Sequence, residues 1–172
     1  DAGGPNAGCD TMAITPLTSN WYAPKGTAPE YGYSFGRQNW WPYADAEAKA
    51  LQGKCAFFDQ SSFAKFLVEG ADAAKVLNRI SANEAVVEPG RVVYTQWLNE
   101  RGGIEADVTV TRLSAAEFLI VTSAACQTRD LVWLRRHIPD GSRCSVADIT
   151  SGHVVLGIMG PRSRELMAAL SP

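Results

Sequence analysis

The strongest constraint on the fold lies in residues 90–122, GRVVYTQWLNERGGIEADVTVTRLSAAEFLIVT. Apolar and β-branched residues fill 92–98, Asn99-Glu100-Arg101-Gly102-Gly103 interrupts them, and 104–113 then alternates between two faces. This pattern predicts three strands joined by two turns. On the second strand Ile104, Ala106, Val108 and Val110 are expected to face the core, which puts Glu105, Asp107, Thr109 and Thr111 on the other side. Asp107 then stands mid-strand, where aspartate is disfavoured. Two readings follow. Either that face of the sheet meets water, at almost no cost, or a small molecule covers it and the carboxylate meets one of its amines or amides. Register bears on the choice. A four-residue connection pairs Asn99 with Ile104, sets Tyr94 opposite Thr109 and leaves Tyr94 and Asp107 on one face; a five-residue connection flips the strand and parts them.

The rest of the chain supplies helices and further strands. A helix is expected over 44–52, with Asp45 and Glu47 in its first turn and Gly53 at its end. Strands are expected over 55–59 and 63–69 about a turn at Gln60-Ser61-Ser62. A helix follows from about Ala71, turning Val76, Leu77 and Ile80 inward and closing at Asn83. After the meander, a helix from Ser123-Ala124 to Ile138 buries Leu131, Leu134 and Ile138 and carries Arg135, Arg136 and His137 in its last turn. Pro139-Asp140-Gly141 stops it. Strands over 143–149 and 154–159 and a helix from Gly160-Pro161 to about Leu170 complete the reading. Helices and strands are interspersed without strict βαβ alternation, so the class is α+β.

Residues 11–43 have little periodicity and read as an irregular arm. Trp21, Tyr22, Tyr31, Tyr33, Phe35, Trp40 and Trp41 crowd it, and aromatics this dense need a surface to lie on. That surface is the domain's own core or a neighbouring domain, or else the rings form a stacking wall for a ligand. The opening DAGGPNAGCD reads as a linker or a loop left by an excised domain.

Several chemistries have no support. A net charge of −2 over 172 residues gives no footprint for nucleic acid. There is no apolar run of about 18 residues for a membrane span, and no signal-peptide pattern. Cys9, Cys55, Cys126 and Cys144 lack CxxC spacing and no zinc pattern forms, so no metal is expected. Reduced thiols are the default and suit a bacterial cytoplasm or a mitochondrial matrix, with a Cys55 to Cys126 bridge left open. No GxGxxG follows a strand and no GxxxxGK[ST] occurs, so flavin would have to sit on another domain. His137 reads as a helix-end cation and His153 as a turn residue. No Ser, His and Asp arrangement can be nominated from spacing.

Tyr94-Thr95, Leu98-Asn99-Glu100, Gly102-Gly103-Ile104, Asp107 and Val110, in order and spacing, resemble the signature of the aminomethyltransferase (glycine cleavage T-protein) family. FFDQSSFAKFLVEG at 57–70, ADAAKVLNRISAN at 71–83 and LGIMGPRSRELM at 156–167 are similar to it too, so the resemblance runs over 31–172. Within it, GYSFGRQNWW at 32–41 and AACQTRDLVWLRRHI at 124–138 resemble the folate lobe of dimethylglycine and sarcosine dehydrogenases, flavoproteins that demethylate N-methyl amines. The resemblance implies the N-terminal part of a tetrahydrofolate-binding domain over 44–172, after an arm at 1–43. It implies Asp107 as the catalytic carboxylate, Tyr94 beside the pterin and Thr109 as a weaker contact on the same face; Arg101 in the turn and Arg112 at the strand end are either neighbours for a folate tail or simply solvated surface arginines.

Tetrahydrofolate is the implied cofactor, with FAD only on a separate N-terminal flavin domain or subunit. The implied role is capture of an oxidised methyl group as 5,10-methylenetetrahydrofolate. In the family a second half completes the pocket with a glutamate in a glycine-rich motif, and no such motif occurs here. Two departures, Ala106-Asp107 in place of adjacent aspartates and Ser123-Ala124-Ala125-Cys126 in place of an Asn-Ala-Asn type run, argue against a lipoyl-arm substrate. The alternatives are an aminomethyltransferase of the glycine cleavage system, a non-catalytic regulator similar to the pyruvate dehydrogenase phosphatase regulatory subunit, and a purely structural lobe.

Overall fold

A computed structural model describes residues 32–171. Cys9, Trp21, Tyr22 and Tyr31 lie outside the described residues. In chain order the elements are α1 (Trp41–Gly53), β1 (Ala56–Asp59), β2 (Ala64–Glu69), α2 (Ala73–Ile80), β3 (Val92–Leu98), β4 (Ile104–Arg112), β5 (Glu117–Thr122), α3 (Gln127–Arg136), β6 (Ser145–Asp148), β7 (Leu156–Met159) and α4 (Ser163–Leu170). Short 3₁₀ turns at Ala124–Cys126 and Thr150–Gly152 precede α3 and β7. The class is α+β, as the interspersed pattern predicts. No helix among the described residues is long and apolar enough to cross a membrane.

The chain divides into two compact units, and the larger is Asp59–Leu156. It holds a five-stranded sheet in the order β3-β4-β5-β2-β6. Every neighbouring pair is antiparallel. The β3-β4-β5 meander follows the alternation of 92–122. β2 comes earlier in sequence yet is inserted between β5 and β6, with Phe66 opposite Ile120 on one side and Asp148 on the other. One face of the sheet is sealed by α2, whose Ala73, Val76, Leu77 and Ile80 are buried. Phe66, Val68, Trp97, Val110, Phe118 and Leu134 join them in one core. Each large side chain so buried is worth roughly 1.5 to 3 kcal/mol. Gly70 makes the corner from β2 into α2 with φ 130°, and a Cβ there would come within 2.0 Å of the Arg143 carbonyl oxygen, so only glycine fits.

The smaller unit, over its described residues, contains α1, α4 and a two-stranded sheet of β1 and β7. β1 and β2 flank the expected turn at Gln60-Ser61-Ser62, where the Phe63 amide bonds the Gln60 carbonyl. The two strands belong to different sheets.

Several boundaries differ from the sequence reading. α1 starts at Trp41, because Pro42 suits a first helical turn, so Asp45 and Glu47 lie deeper in the helix and Asp45 pairs with Lys49 instead. α2 ends at Ile80 with Ser81 already extended, so Asn83 is no helix cap. Its amide donates to Thr95 Oγ1 and its Nδ2 to the Tyr94 carbonyl, tying the loop to β3. α3 ends at Arg136, which leaves Ile138 beyond the helix and half-buried, while Asp130 and Leu134 are the helix's buried residues. α4 begins at Ser163, with Pro161 in the preceding turn. Ile104, expected in the core, is 69% exposed, because it sits at the hairpin end beside a bulge in the β3-β4 ladder. Cys55, Cys126 and Cys144 are free thiols, so the bridge left open between Cys55 and Cys126 is not formed.

Candidate functional site

The site is built by the register of β3 against β4. The connection is the five residues 99–103, since Leu98 pairs with Ile104. Alone, that length would part Tyr94 from Asp107. A bulge between Trp97 and Leu98 absorbs the extra residue, so Trp97 pairs with Ala106, Gln96 with Asp107 and Tyr94 with Thr109. The expected pairing of Asn99 with Ile104 is therefore absent, yet the register further along is that of the shorter connection.

Asn99 organises the turn. Its Oδ1 accepts from the amides of Arg101 and Gly103, and its Nδ2 donates to Glu105 Oε1 at 2.8 Å. Gly102 takes φ 76°, a conformation that glycine adopts without strain.

Tyr94, Gln96, Asp107 and Thr109 consequently share the outer face of the hairpin. Tyr94 Oη donates to Asp107 Oδ2 at 2.9 Å, and Gln96 Nε2 donates to Oδ1 at 3.2 Å. Each carboxylate oxygen thus has one fixed donor and keeps further acceptor capacity for a ligand N–H. The phenol is raised above its ordinary pKa, first because it donates to Asp107 and then by partial desolvation and by the neighbouring negative charge. Tyr94 is 59% exposed, so ring and carboxylate present an aromatic surface and an acceptor side by side. Thr109 stands opposite Tyr94 in the ladder, and no side-chain hydrogen bond joins it to the pair.

Behind this face lies a buried polar group that apolar periodicity did not reveal. Asp130, 1% exposed, accepts from Thr122 Oγ1 at 2.6 Å and from Arg129 Nε at 2.9 Å. The Thr122 hydroxyl has a single hydrogen, and the 2.6 Å contact claims it over the Asp107 carbonyl oxygen at 3.5 Å. This pair locks the start of α3 to the end of β5. The available sequence signal was an aspartate on the helix face that also carries Leu134.

Gln96 was also missed, although it lies two residues from Tyr94 on the same face. Arg112, nominated for a folate tail, is committed elsewhere: Nη1 donates to the Val87 carbonyl at 2.7 Å and Nε to that of Ser114. Arg101 lies in the exposed turn. His137 caps the C-terminus of α3 and bonds the Trp133 carbonyl through Nδ1. His153 follows the 3₁₀ turn at Thr150–Gly152. No group of three or more His, Cys, Asp or Glu among the described residues could hold a metal ion.

Comparison with known proteins assigns the fold to a family. Residues 13–172 match the family model described as GCVT N-terminal domain. Over 154 residues the chain is 43% identical to 4-methylaminobutanoate oxidase (formaldehyde-forming) of Paenarthrobacter nicotinovorans, covering 90% of this chain and 19% of that protein. It is 29% identical over 153 residues to mitochondrial dimethylglycine dehydrogenase of Homo sapiens, covering 88% of this chain and 18% of the relative. The crystal structure of glycine cleavage system aminomethyltransferase T from Bartonella henselae superposes with a TM-score of 0.69 at 26% identity, over 81% of this chain and 39% of that one. The chain therefore spans about a fifth of the length of these two curated relatives.

Proposed function

The chain belongs to the GCVT N-terminal domain family, and from that premise we propose that it is the tetrahydrofolate-binding lobe of a longer flavoprotein that demethylates an N-methyl amine. The observation that carries the reading is Asp107, a solvent-facing carboxylate held at both oxygens on a rigid hairpin beside an exposed phenol ring. A flat heteroaromatic ligand with N–H donors suits that combination: Tyr94 offers a ring to lie against, Asp107 accepts from an N–H, and Thr109 adds a hydroxyl on the same face. When bound, tetrahydrofolate supplies the amine nitrogen that takes up a one-carbon unit.

The chain's own residues orient and balance charge. Tyr94 and Gln96 each donate to one oxygen of Asp107, which fixes the plane of the carboxylate before a ligand arrives. An acceptor fixed in advance costs nothing to reorganise during reaction. Asp107 then takes up, or offsets, the proton that the attacking nitrogen sheds once its new bond to the one-carbon unit has formed, a contribution of about 10² to 10⁴ in rate. Two named relatives oxidise or dehydrogenate N-methylated amino acids, and one is named as formaldehyde-forming. In this reading the flavin sits on another domain, and the lobe decides whether the carbon leaves as formaldehyde or stays on folate.

The test uses the full-length protein. N-methyl amino acids are oxidised with and without tetrahydrofolate while free formaldehyde is followed. Suppression of formaldehyde by folate, abolished in Asp107→Asn with amine oxidation intact, supports the reading. Oxidation that folate does not alter, or an Asn variant that traps carbon at the parental rate, overturns it.

A further inference from the structure

A second concavity lies at the tip of the same hairpin. It has a volume of about 290 Å³ and is lined by Arg79, Ile80, Ser81, Leu98, Asn99, Glu100 and His137. That is the lower end of the range for small-molecule sites, which sets a compact ligand. Its charges are the informative part. Arg79 and Glu100 both line it, and neither forms an ion pair among the described residues.

Its other groups are arranged as acceptors and donors. Ser81 Oγ is shielded from solvent and has no hydrogen-bond partner. His137 Nδ1 lies 2.8 Å from the Trp133 carbonyl oxygen. A carbonyl can only accept, so Nδ1 carries a proton. The ring stacks on Trp133 at 3.8 Å between centroids, and Trp133 stacks on Trp97 at 5.4 Å, so the wall is rigid. The C-termini of α2, at Ile80 and Ser81, and of α3, at His137, both contribute to the lining, and helix C-termini favour positive charge. Ile80 and Leu98 supply the apolar part.

We infer that this cavity binds a compact zwitterion of the amino-acid class, its carboxylate on Arg79 and its ammonium on Glu100 and the helix C-termini, with His137 completing the hydrogen bonds. A simple carboxylate would leave Glu100 unpaired, and a simple amine would leave Arg79 unpaired. The site is independent of folate and of Asp107.

The probes are 4-aminobutanoate, butanoate and butylamine, titrated into the full-length protein labelled at the indole nitrogens of tryptophan. The readout is the Nε1–H resonance of Trp133, which reports on this wall and not on an amine site elsewhere in the protein. The expected result is a saturable shift with 4-aminobutanoate and at least tenfold weaker responses to butanoate and to butylamine. Arg79→Gln and Glu100→Gln, both at exposed positions that leave the core intact, should each weaken 4-aminobutanoate at least tenfold. The Arg79→Glu, Glu100→Arg double exchange should restore part of the loss. No shift at about 50 mM, far above a millimolar Kd, overturns the inference. So does equal binding of butanoate or butylamine, or retention of affinity in both single variants. Asp107→Asn should leave this titration unchanged, so failure here and failure of the folate reading are separable.

Discussion

On the inner face of the β3-β4 hairpin, Thr95, Trp97, Ala106, Val108 and Val110 are buried, while on the outer face of the same two strands Val92, Tyr94 and Asp107 are exposed. The inner face is governed by volume: Trp97 is fully buried, stacked on Trp133, and locks the strand into one register. The outer face contributes little burial, and its side chains are arranged by hydrogen bonds that exist only because the inner face has already chosen the register. A site of this kind spends no stability of its own on being positioned.

Variants that separate the two faces test this view. Trp97→Ala should have the largest effect, a loss of about 3 to 5 kcal/mol in stability. Urea unfolding of the variant would measure it, and Tyr94 and Asp107 should lose their mutual alignment with it. Asp107→Asn should do the opposite, lowering the folate-dependent step by about 10² to 10⁴ while unfolding within about 0.5 kcal/mol of the parent. Single-turnover kinetics and denaturation on the same sample decide whether those effects stay apart.

Asn99→Ala addresses the turn that joins the faces. It removes the acceptor used by the Arg101 and Gly103 amides and the donor to Glu105. A loss of about 1 to 2 kcal/mol is expected. With the bulge no longer anchored, weakened protection of the β3-β4 amides in hydrogen exchange should accompany it.

The smallest effect concerns the Tyr94 phenol, whose pKa is raised because it donates to Asp107. A folded-state value above the unfolded one means that this hydrogen bond contributes below the unfolded tyrosine pKa, near 10. The contribution is lost as pH rises through the folded value. Phenolate absorbance should therefore include one tyrosine titrating late, and Asp107→Asn should return it toward the ordinary value.

Much of the fold was legible from short-range pattern. Strand 92–98 matches β3 as read, β4 ends one residue short of expectation, β5 stops at Thr122 where the meander was read to end, and the inward residues Val76, Leu77 and Ile80 of α2 were readable from their spacing. Asp107 stood out because aspartate mid-strand contradicts propensity. Asp130 did not, because apolar periodicity cannot register a carboxylate whose burial is matched by the Thr122 hydroxyl from β5 and by its own neighbour Arg129. Gln96 was hidden for a related reason: glutamine is unremarkable on an outer strand face until a partner's register is known.

What the sequence alone determined is local: where strands and helices run, which side of β4 is apolar, and that Asp107, Thr109 and Thr111 share the other side. The alternation repeats every two residues and is written into the chain directly. What only the tertiary structure decided is pairing over distance. β2 reaches β5 and β6 across most of the unit, and the connection of five residues would have parted Tyr94 from Asp107 but for a bulge beside Trp97. A bulge is chosen by packing on the inner face, where slipping one residue would drive Trp97 out of the core. Those burials choose the register that sets the geometry of the site, and Asn99 holds the turn that accommodates it.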